Sequence, residues 1–287
     1  MKVIEWRTRT RHQWLFCMVV LAVLVVWSAG CTPTPPVATQ PPVQPTAASS
    51  SNQTLTVFAG SSLTDAFNEI STQFEAQHPG AKIDFNFAGS QQLRTQLEQG
   101  ARADVFASAN TKEMDAAIKS SLVDANSPKT FVKNHLTVIV PKDNRAQMKT
   151  LQDLARPGLK IVLAAPGVPV GGYALMALDK MNKSFGATFS QTVLSNVVSY
   201  EDNVKQVVTK VQLGEGDAGI VYTSDVTPAA AEKLGTIAIP DEFNVVATYP
   251  IAPLKAAPQP SLAREFIQFV LSDQGQSILK KWGFNSP

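Results

Sequence analysis

From residue 54 onwards, the spacing of apolar residues alternates between two patterns, which predicts strands followed by helices. Residues 54–59 are rich in β-branched and aromatic side chains, as is typical of a strand. After Gly60, apolar residues recur at steps of four, three and four, the spacing of one helix face: Leu63, Phe67, Ile70 and Phe74. We therefore expect the chain to pass from strand to helix just after Gly60.

This first junction carries a helix start signal. Ser62 stands where an N-cap is expected, and Asp65 three residues later completes an S-x-x-D pattern. Free N–H groups at a helix start, with the helix dipole behind them, favour an anion. The junction therefore predicts an anion site, although Gly60 and Ser62 could also serve only the turn and the cap.

The same scheme recurs along the chain. Residues 81–87 alternate polar and apolar, and Gly89-Ser90 then leads into a helix, so we expect Ser90 to repeat the role of Ser62. Further strands are expected at 104–107, 136–140, 160–165, 193–198, 217–222 and 244–251, and further helices at 111–120, 173–181, 204–211, 261–271 and 274–281. Alternating strands and helices predict an α/β fold whose parallel strands point their carboxyl ends into one crevice. Two such halves predict two lobes.

The N-terminal 53 residues have a different composition. Residues 1–30 hold four basic residues, an apolar run and small residues before Cys31, which is the pattern of a secretory signal and resembles a bacterial lipobox. We expect Cys31 to be lipidated, and residues 31–53, rich in Pro, Thr and Ser, to form a tether. An uncleaved membrane anchor is the alternative, and it leaves the protein on the same side of the membrane.

The net charge and the cysteine content limit the classes of function that this protein can have. The chain has 25 Lys and Arg against 23 Asp and Glu; residues 1–30 hold four of the former and one of the latter, so the remainder carries about one net negative charge. A near-neutral body argues against a nucleic-acid partner. Both cysteines, Cys17 and Cys31, precede the body, which therefore has no thiol nucleophile.

Signals for an enzyme are weak. Beyond the signal the histidines are His78 and His135, in positions that suggest no metal site and no Ser-His-Asp arrangement. Residues 277–280 match S-x-x-K, but the companion motifs of penicillin-binding enzymes are missing. We expect a protein that is not an enzyme, with no cofactor and no bound metal cation.

Six segments then resemble, in order and spacing, the motifs of the molybdate-binding proteins of bacterial ABC importers: residues 59–64, 87–90, 103–109, 168–174, 202–204 and 219–225. In that family two serine hydroxyls, two main-chain amides and a tyrosine hydroxyl hold the anion. The resemblance implies that the binding groups are the hydroxyls of Ser62, Ser90 and Tyr222 and the amides of Val170 and Val204. Val170 departs from the family, where alanine is familiar, but a main-chain donor should tolerate the change.

The resemblance also implies a fold and a role. The fold is the two-lobed periplasmic-binding-protein type II, with parallel-rich sheets, lobe 1 formed by 54–135 and 247–287, lobe 2 by 136–246, and the ligand in the cleft between them. The role is capture of molybdate or tungstate outside the cytoplasm and delivery to an ABC permease, by a monomer held on the bacterial cell envelope through Cys31. Another tetrahedral oxyanion such as sulfate is the alternative.

The residue types agree with a fully deprotonated dianion. Such an anion has only acceptor atoms, so hydroxyls and amides suffice to bind it, whereas a phosphate site usually adds a carboxylate and an iron site adds adjacent tyrosines. Sulfate differs from molybdate only in size, and tungstate hardly differs. Glu201 and Asp202 are expected in a first helical turn, pointing away from the cleft.

The lipobox hypothesis has a direct test. Cys31→Ser removes the expected lipid attachment atom, so the body should be released from the membrane fraction. Fractionation of cells that express the parent and the variant measures this, and a variant that stays with the membrane would contradict the lipobox.

Overall fold

The computed structural model describes residues 53–287. The expected signal peptide at 1–30, Cys31 and the tether up to residue 52 lie outside the described residues. No helix in residues 53–287 is long and apolar enough to cross a membrane.

Strands and helices alternate along most of the described chain. The strands are β1 Gln53–Gly60, β2 Ala81–Ala88, β3 Val105–Ala107, β4 Lys129–Asn134, β5 Leu136–Pro141, β6 Ile161–Ala164, β7 Val197–Glu201, β8 Ala218–Tyr222, β9 Leu234–Ala238 and β10 Ala247–Pro253. The helices are α1 Thr64–Gln77, α2 Ser90–Glu98, α3 Thr111–Lys119, α4 Pro169–Phe185, α5 Phe189–Ser195, α6 Val204–Gln212, α7 Pro228–Ala231, α8 Pro260–Leu271 and α9 Asp273–Lys281. Short 3-10 turns occupy Ser61–Leu63, Leu151–Ala155 and Thr223–Asp225.

The strands form two five-stranded sheets with the same plan. The orders are β2-β1-β3-β10-β4 and β7-β6-β8-β5-β9. In each, the first three strands are parallel and the fourth runs antiparallel to both neighbours. The chain enters the second sheet between Asn134 and Leu136 and returns to the first at Ala247. The sheets are thus mixed, while the predicted lobe boundaries stay a prediction.

Both serine caps predicted from the sequence are wrong. The residue before α1 is Leu63, with no side-chain cap, because Ser61–Leu63 form a 3-10 turn and the Ser62 hydroxyl bonds to Tyr249 instead. Gly89 is the N-cap of α2, and Ser90 is its first helical residue. In both cases the hydroxyl that the local pattern predicts as the cap forms a hydrogen bond with a residue distant in sequence.

Some elements also differ from their prediction. Residues 193–195 end α5, and the strand begins only at Val197, because Val193 is buried on the helix against the core. Strands β4 and β9 and helix α5 are not anticipated by the apolar pattern. Strand β1 begins at Gln53, so the last residue of the expected tether belongs to the sheet.

Aromatic side chains fill the core around the first sheet. The ring of Phe67 lies 5.9 Å, centroid to centroid, from the rings of three other phenylalanines: Phe85, Phe131 and Phe266. Phe67 comes from α1, Phe85 from β2, Phe131 from β4 and Phe266 from α8. This cluster ties the helix that follows β1 to both edges of the sheet, and it thereby positions the turn between them.

Helix α4 approaches its sheet closely at a glycine. A Cβ atom on Gly171 would collide with the carbonyl oxygens of Ala164 and Ala165, at the end of β6. A Cβ atom on the neighbouring Gly172 would find its nearest neighbour, the oxygen of Pro166, at 3.5 Å, an ordinary contact. The two glycines therefore form a matched pair: they are neighbours in α4, and only Gly171 lacks room for a Cβ atom.

We expect Gly171→Ala to destabilise the protein by about 1–3 kcal/mol, since α4 must move away from β6. Gly172→Ala should be neutral or stabilising by up to about 1 kcal/mol, because alanine loses less backbone entropy on folding. Urea unfolding of both variants measures the difference. Equal stabilities would show that the close approach at Gly171 imposes no constraint.

Candidate functional site

A small cavity lies where the ends of several strands meet the starts of the following helices. The loops after β1, β2 and β6, the start of α6 and the end of β8 contribute to its wall. Its free volume is about 10 Å³, whereas four other clefts in the described chain range from about 200 to 510 Å³. None of the residues that line it carries a charged side chain.

The structure brings all five predicted binding residues to this one cavity. Ser62 lies in the turn between β1 and α1, and Ser90 is the first residue of α2. Val170 is the second residue of α4, Val204 is the first of α6, and Tyr222 is the last of β8. Residues from both sheets therefore face the same small volume.

The main-chain donors follow from helix geometry. The first N–H groups of a helix have no partner within the helix. Val170 and Val204 lie in the first turns of α4 and α6, where the helix dipole adds partial positive charge. The Asn203 side chain caps α6 by accepting from the N–H of Gln206, so it leaves the Val204 N–H uncapped.

The two serine hydroxyls are buried and already have protein partners. Ser62 Oγ lies 2.9 Å from the hydroxyl of Tyr249. The N–H of Ala109 donates to Ser90 Oγ at 3.0 Å. Ser62 is 3% and Ser90 0% exposed, so solvent does not compete for either group.

Tyr222 differs from the serines because its hydroxyl has no partner. The side chain is buried, and within residues 53–287 its oxygen has no hydrogen-bond partner of ordinary geometry, although Tyr249 lies beside it. Its ring packs edge-on against Tyr173 and Tyr249, at centroid distances of 6.4 and 5.7 Å. Burial raises the pKa of Tyr222 well above its ordinary value, so the hydroxyl remains a proton donor.

Charged residues surround the site in pairs rather than lining it. Lys205 Nζ lies 2.7 Å from Asp65 and 3.6 Å from buried Asp225. Burial raises the pKa of Asp225 to about 6, although Lys205 opposes the shift. For Lys205, burial lowers the pKa, but Asp225 and Asp65 outweigh it and raise the pKa overall.

The expectation that Glu201 and Asp202 lie in a first helical turn is wrong for both, because α6 begins only at Val204. Glu201 is the last residue of β7, where its carboxylate is buried and paired with Lys210 at 2.7 Å and accepts from Ser199. Asp202 is exposed, and its carbonyl oxygen accepts from Gln91 Nε2 at 3.1 Å. Together with Lys205–Asp65, this bond connects the elements of one sheet to those of the other beside the cavity.

Comparison with known proteins assigns the family. Residues 55–285 match the bacterial extracellular solute-binding proteins. The chain belongs to this family. The molybdate-binding protein ModA of Mycobacterium tuberculosis is 39% identical over 268 residues, which cover 93% of this chain and 96% of that protein.

Solved structures agree with the fold of this solute-binding protein. The substrate binding domain of a putative molybdenum ABC transporter from Clostridium difficile is 29% identical, with a TM-score of 0.61, over 82% of this chain and 99% of that one. The sulfate-binding protein SubI from Mycobacterium tuberculosis has a TM-score of 0.72 over 82% and 87%, but at 17% identity it shows the fold alone. The expected type II binding-protein fold is confirmed.

The sequence interpretation of this solute-binding protein misses one residue that bonds to a site serine without lining the cavity. Tyr249, in β10, is fully buried beside Ser62 and was predicted only as part of an extended run. A tyrosine inside an apolar strand was the available signal, because a buried phenol usually needs a hydrogen-bond partner. Its partner lies 187 positions away along the chain, which no local pattern encodes.

Proposed function

We propose that this protein captures molybdate or tungstate outside the cytoplasm and delivers it to an ABC-type permease. The observation that carries the proposal is the hydroxyl of Tyr222, which is buried at the cavity with no partner in the described chain. A buried donor without an acceptor costs about 1–3 kcal/mol. An oxyanion in the cavity supplies that acceptor.

The rest of the lining supports a fully deprotonated anion. Ser62, Ser90 and Tyr222 provide hydroxyls, Val170 and Val204 provide helix-start N–H groups, and no carboxylate lines the cavity. Donors of this kind bind a dianion without a counter-charge, because hydrogen bonds to a charged group are about twice as strong as neutral ones. In this proposal each of the five groups donates one hydrogen bond to an anion oxygen.

The size of the cavity supports an inorganic ligand. Pockets that hold drug-sized molecules enclose about 300–1,000 Å³, whereas the free volume inside this one is about 10 Å³. The similarity to ModA of Mycobacterium tuberculosis favours molybdate within the tetrahedral oxyanions. The sulfate-binding structure shares the fold at 17% identity and adds no argument for sulfate.

The remaining parts of the proposal concern the mode of action, the oligomeric state and the attachment to the cell envelope. The protein acts by binding alone, without catalysis or a cofactor, as a monomer of two lobes with the boundaries given above. Cys31 anchors it to the envelope through lipid, and residues 31–52 hold the body at a distance from the membrane. The permease receives the anion from the cleft between the lobes.

Anion titration tests the proposed function. Purified protein should bind molybdate and tungstate in calorimetry, and saturating ligand should raise its unfolding temperature. Sulfate and phosphate should give weaker binding, sulfate because of its shorter bonds and phosphate because of its proton. Preference for sulfate, or no response to any tetrahedral anion, would contradict the proposal.

Substitution at Ser90 tests the donor assignment. Ser90→Ala should weaken molybdate binding by about 1.5–3 kcal/mol, about ten- to a hundredfold, since one charge-assisted bond is lost. Val204→Ala is the matched control, because it keeps the main-chain N–H and should change affinity little. Calorimetry on both variants decides, and parent-like binding by Ser90→Ala with none by Val204→Ala would place the site elsewhere.

A further inference from the structure

We infer that Lys205 is a positioning residue that acts as a latch: it exchanges buried Asp225, on its own side of the cavity, for Asp65 on the opposite side, and so holds the cavity closed around the anion. The inference rests on the proposed function and concerns how long the anion stays bound. None of the three residues lines the cavity, so the latch acts without touching the ligand.

Lys205 connects elements that belong to different sheets. It is the second residue of α6, directly after Val204, whose N–H is a proposed donor to the anion. Helix α6 packs on β5, β6 and β8 of the second sheet. Asp65 is the second residue of α1, which packs on β2 of the first sheet. The bond of 2.7 Å from Lys205 Nζ to Asp65 Oδ2 therefore ties the start of α6 to the other side of the cavity.

Asp225 has the geometry of a second partner for the same lysine. Its side chain is fully buried in the turn after β8, and its Oδ2 accepts from the N–H of Tyr222 at 3.1 Å. Its Oδ1 has no hydrogen-bond partner in residues 53–287, and Lys205 Nζ lies 3.6 Å from it, just beyond bonding distance. A buried acceptor without a hydrogen bond is destabilising, so Lys205 has a partner to return to when its bond to Asp65 breaks.

The presence of two carboxylates makes the latch reversible. When α6 moves away from α1, Lys205 exchanges a partly exposed partner for a buried one instead of losing its only partner. The free-energy difference between the two pairings is therefore smaller than the strength of either ion pair. A modest bias of this kind favours the closed form and leaves the open form populated, which an anion needs in order to enter.

A second contact joins the same two sides of the cavity. Gln91 Nε2, on α2, donates at 3.1 Å to the carbonyl oxygen of Asp202, in the loop between β7 and α6. The approach is close, because a Cβ atom on Gly89 would lie 2.5 Å from that same oxygen. Gln91 does not line the cavity and carries no charge, so it provides an uncharged counterpart to the ion pair.

Two substitutions around the same lysine distinguish a latch from a simple charge effect. Asp65→Asn and Asp225→Asn each remove one negative charge near the anion, so electrostatic repulsion alone predicts slower release in both. The latch predicts opposite results. Asp65→Asn should speed molybdate release about three- to tenfold, since the closed form loses its ion pair, whereas Asp225→Asn should slow release, since Lys205 loses its alternative partner. A chase of radiolabelled molybdate with excess unlabelled molybdate measures the rate.

The same two helices of the first sheet offer matched controls. Glu69 lies one turn after Asp65 on α1, and its carboxylate bonds to α9 on the same side of the cavity, so Glu69→Gln should keep the parent release rate. Gln91→Ala should speed release about two- to tenfold. Gln96→Ala is its control on α2, because it removes only a bond to Asn86 of β2 and should keep the parent rate.

The inference is overturned if Asp65→Asn and Asp225→Asn do not change the release rate in opposite directions. Thermal unfolding without ligand checks that the variants fold. If Asp225→Asn does not fold, Asp65→Asn against Glu69→Gln decides, because repulsion predicts slower release in Asp65→Asn and the latch predicts faster release. A parent that does not bind molybdate contradicts the proposed function, whereas a parent that binds, with Asp65→Asn releasing no faster, contradicts the latch alone.

Discussion

The organisation of the site depends on one constraint: donors without charge must face a small volume from which water is largely excluded. Helix-start N–H groups are such donors, and they are directed correctly only where a helix begins at the carboxyl end of a parallel strand. The equivalent strand orders of the two sheets place such junctions after β1 and β2 on one side and after β6 and β7 on the other. The sheet topology therefore determines where the main-chain donors of the site lie, whichever side chains occupy those positions.

The side-chain donors need a further constraint, because a hydroxyl can rotate and direct its proton elsewhere. The buried bonds from Ala109 to Ser90 and between Tyr249 and Ser62 limit that freedom. Each is a tertiary contact: Ala109 lies in the loop after β3, and Tyr249 lies in β10. The aromatic cluster around Phe67 holds α1 against that sheet, and so it holds the turn that carries Ser62.

No charged side chain lines the cavity, and the carboxylates near it are paired with lysines. Glu201 and Asp225 lie near the helix starts, but each is paired with a lysine of α6, Lys210 for the former and Lys205 for the latter. Pairing buried carboxylates in this way limits their repulsion of an anion. Lys205 also reaches Asp65 on α1, so the same residue links the two sides of the cavity.

What the sequence determined by itself was the set of strand-to-helix junctions and the residues that occupy them. Apolar periodicity and glycine-serine pairs are local signals, and they led to Ser62 and Ser90, while family resemblance added Val170, Val204 and Tyr222. Local pattern failed for the serine caps and for residues 193–195, because a tertiary bond or a buried face outweighed the local preference. Only the tertiary structure decided that Tyr249 and Ala109 form hydrogen bonds with those serines, since these bonds join atoms brought together from distant parts of the chain.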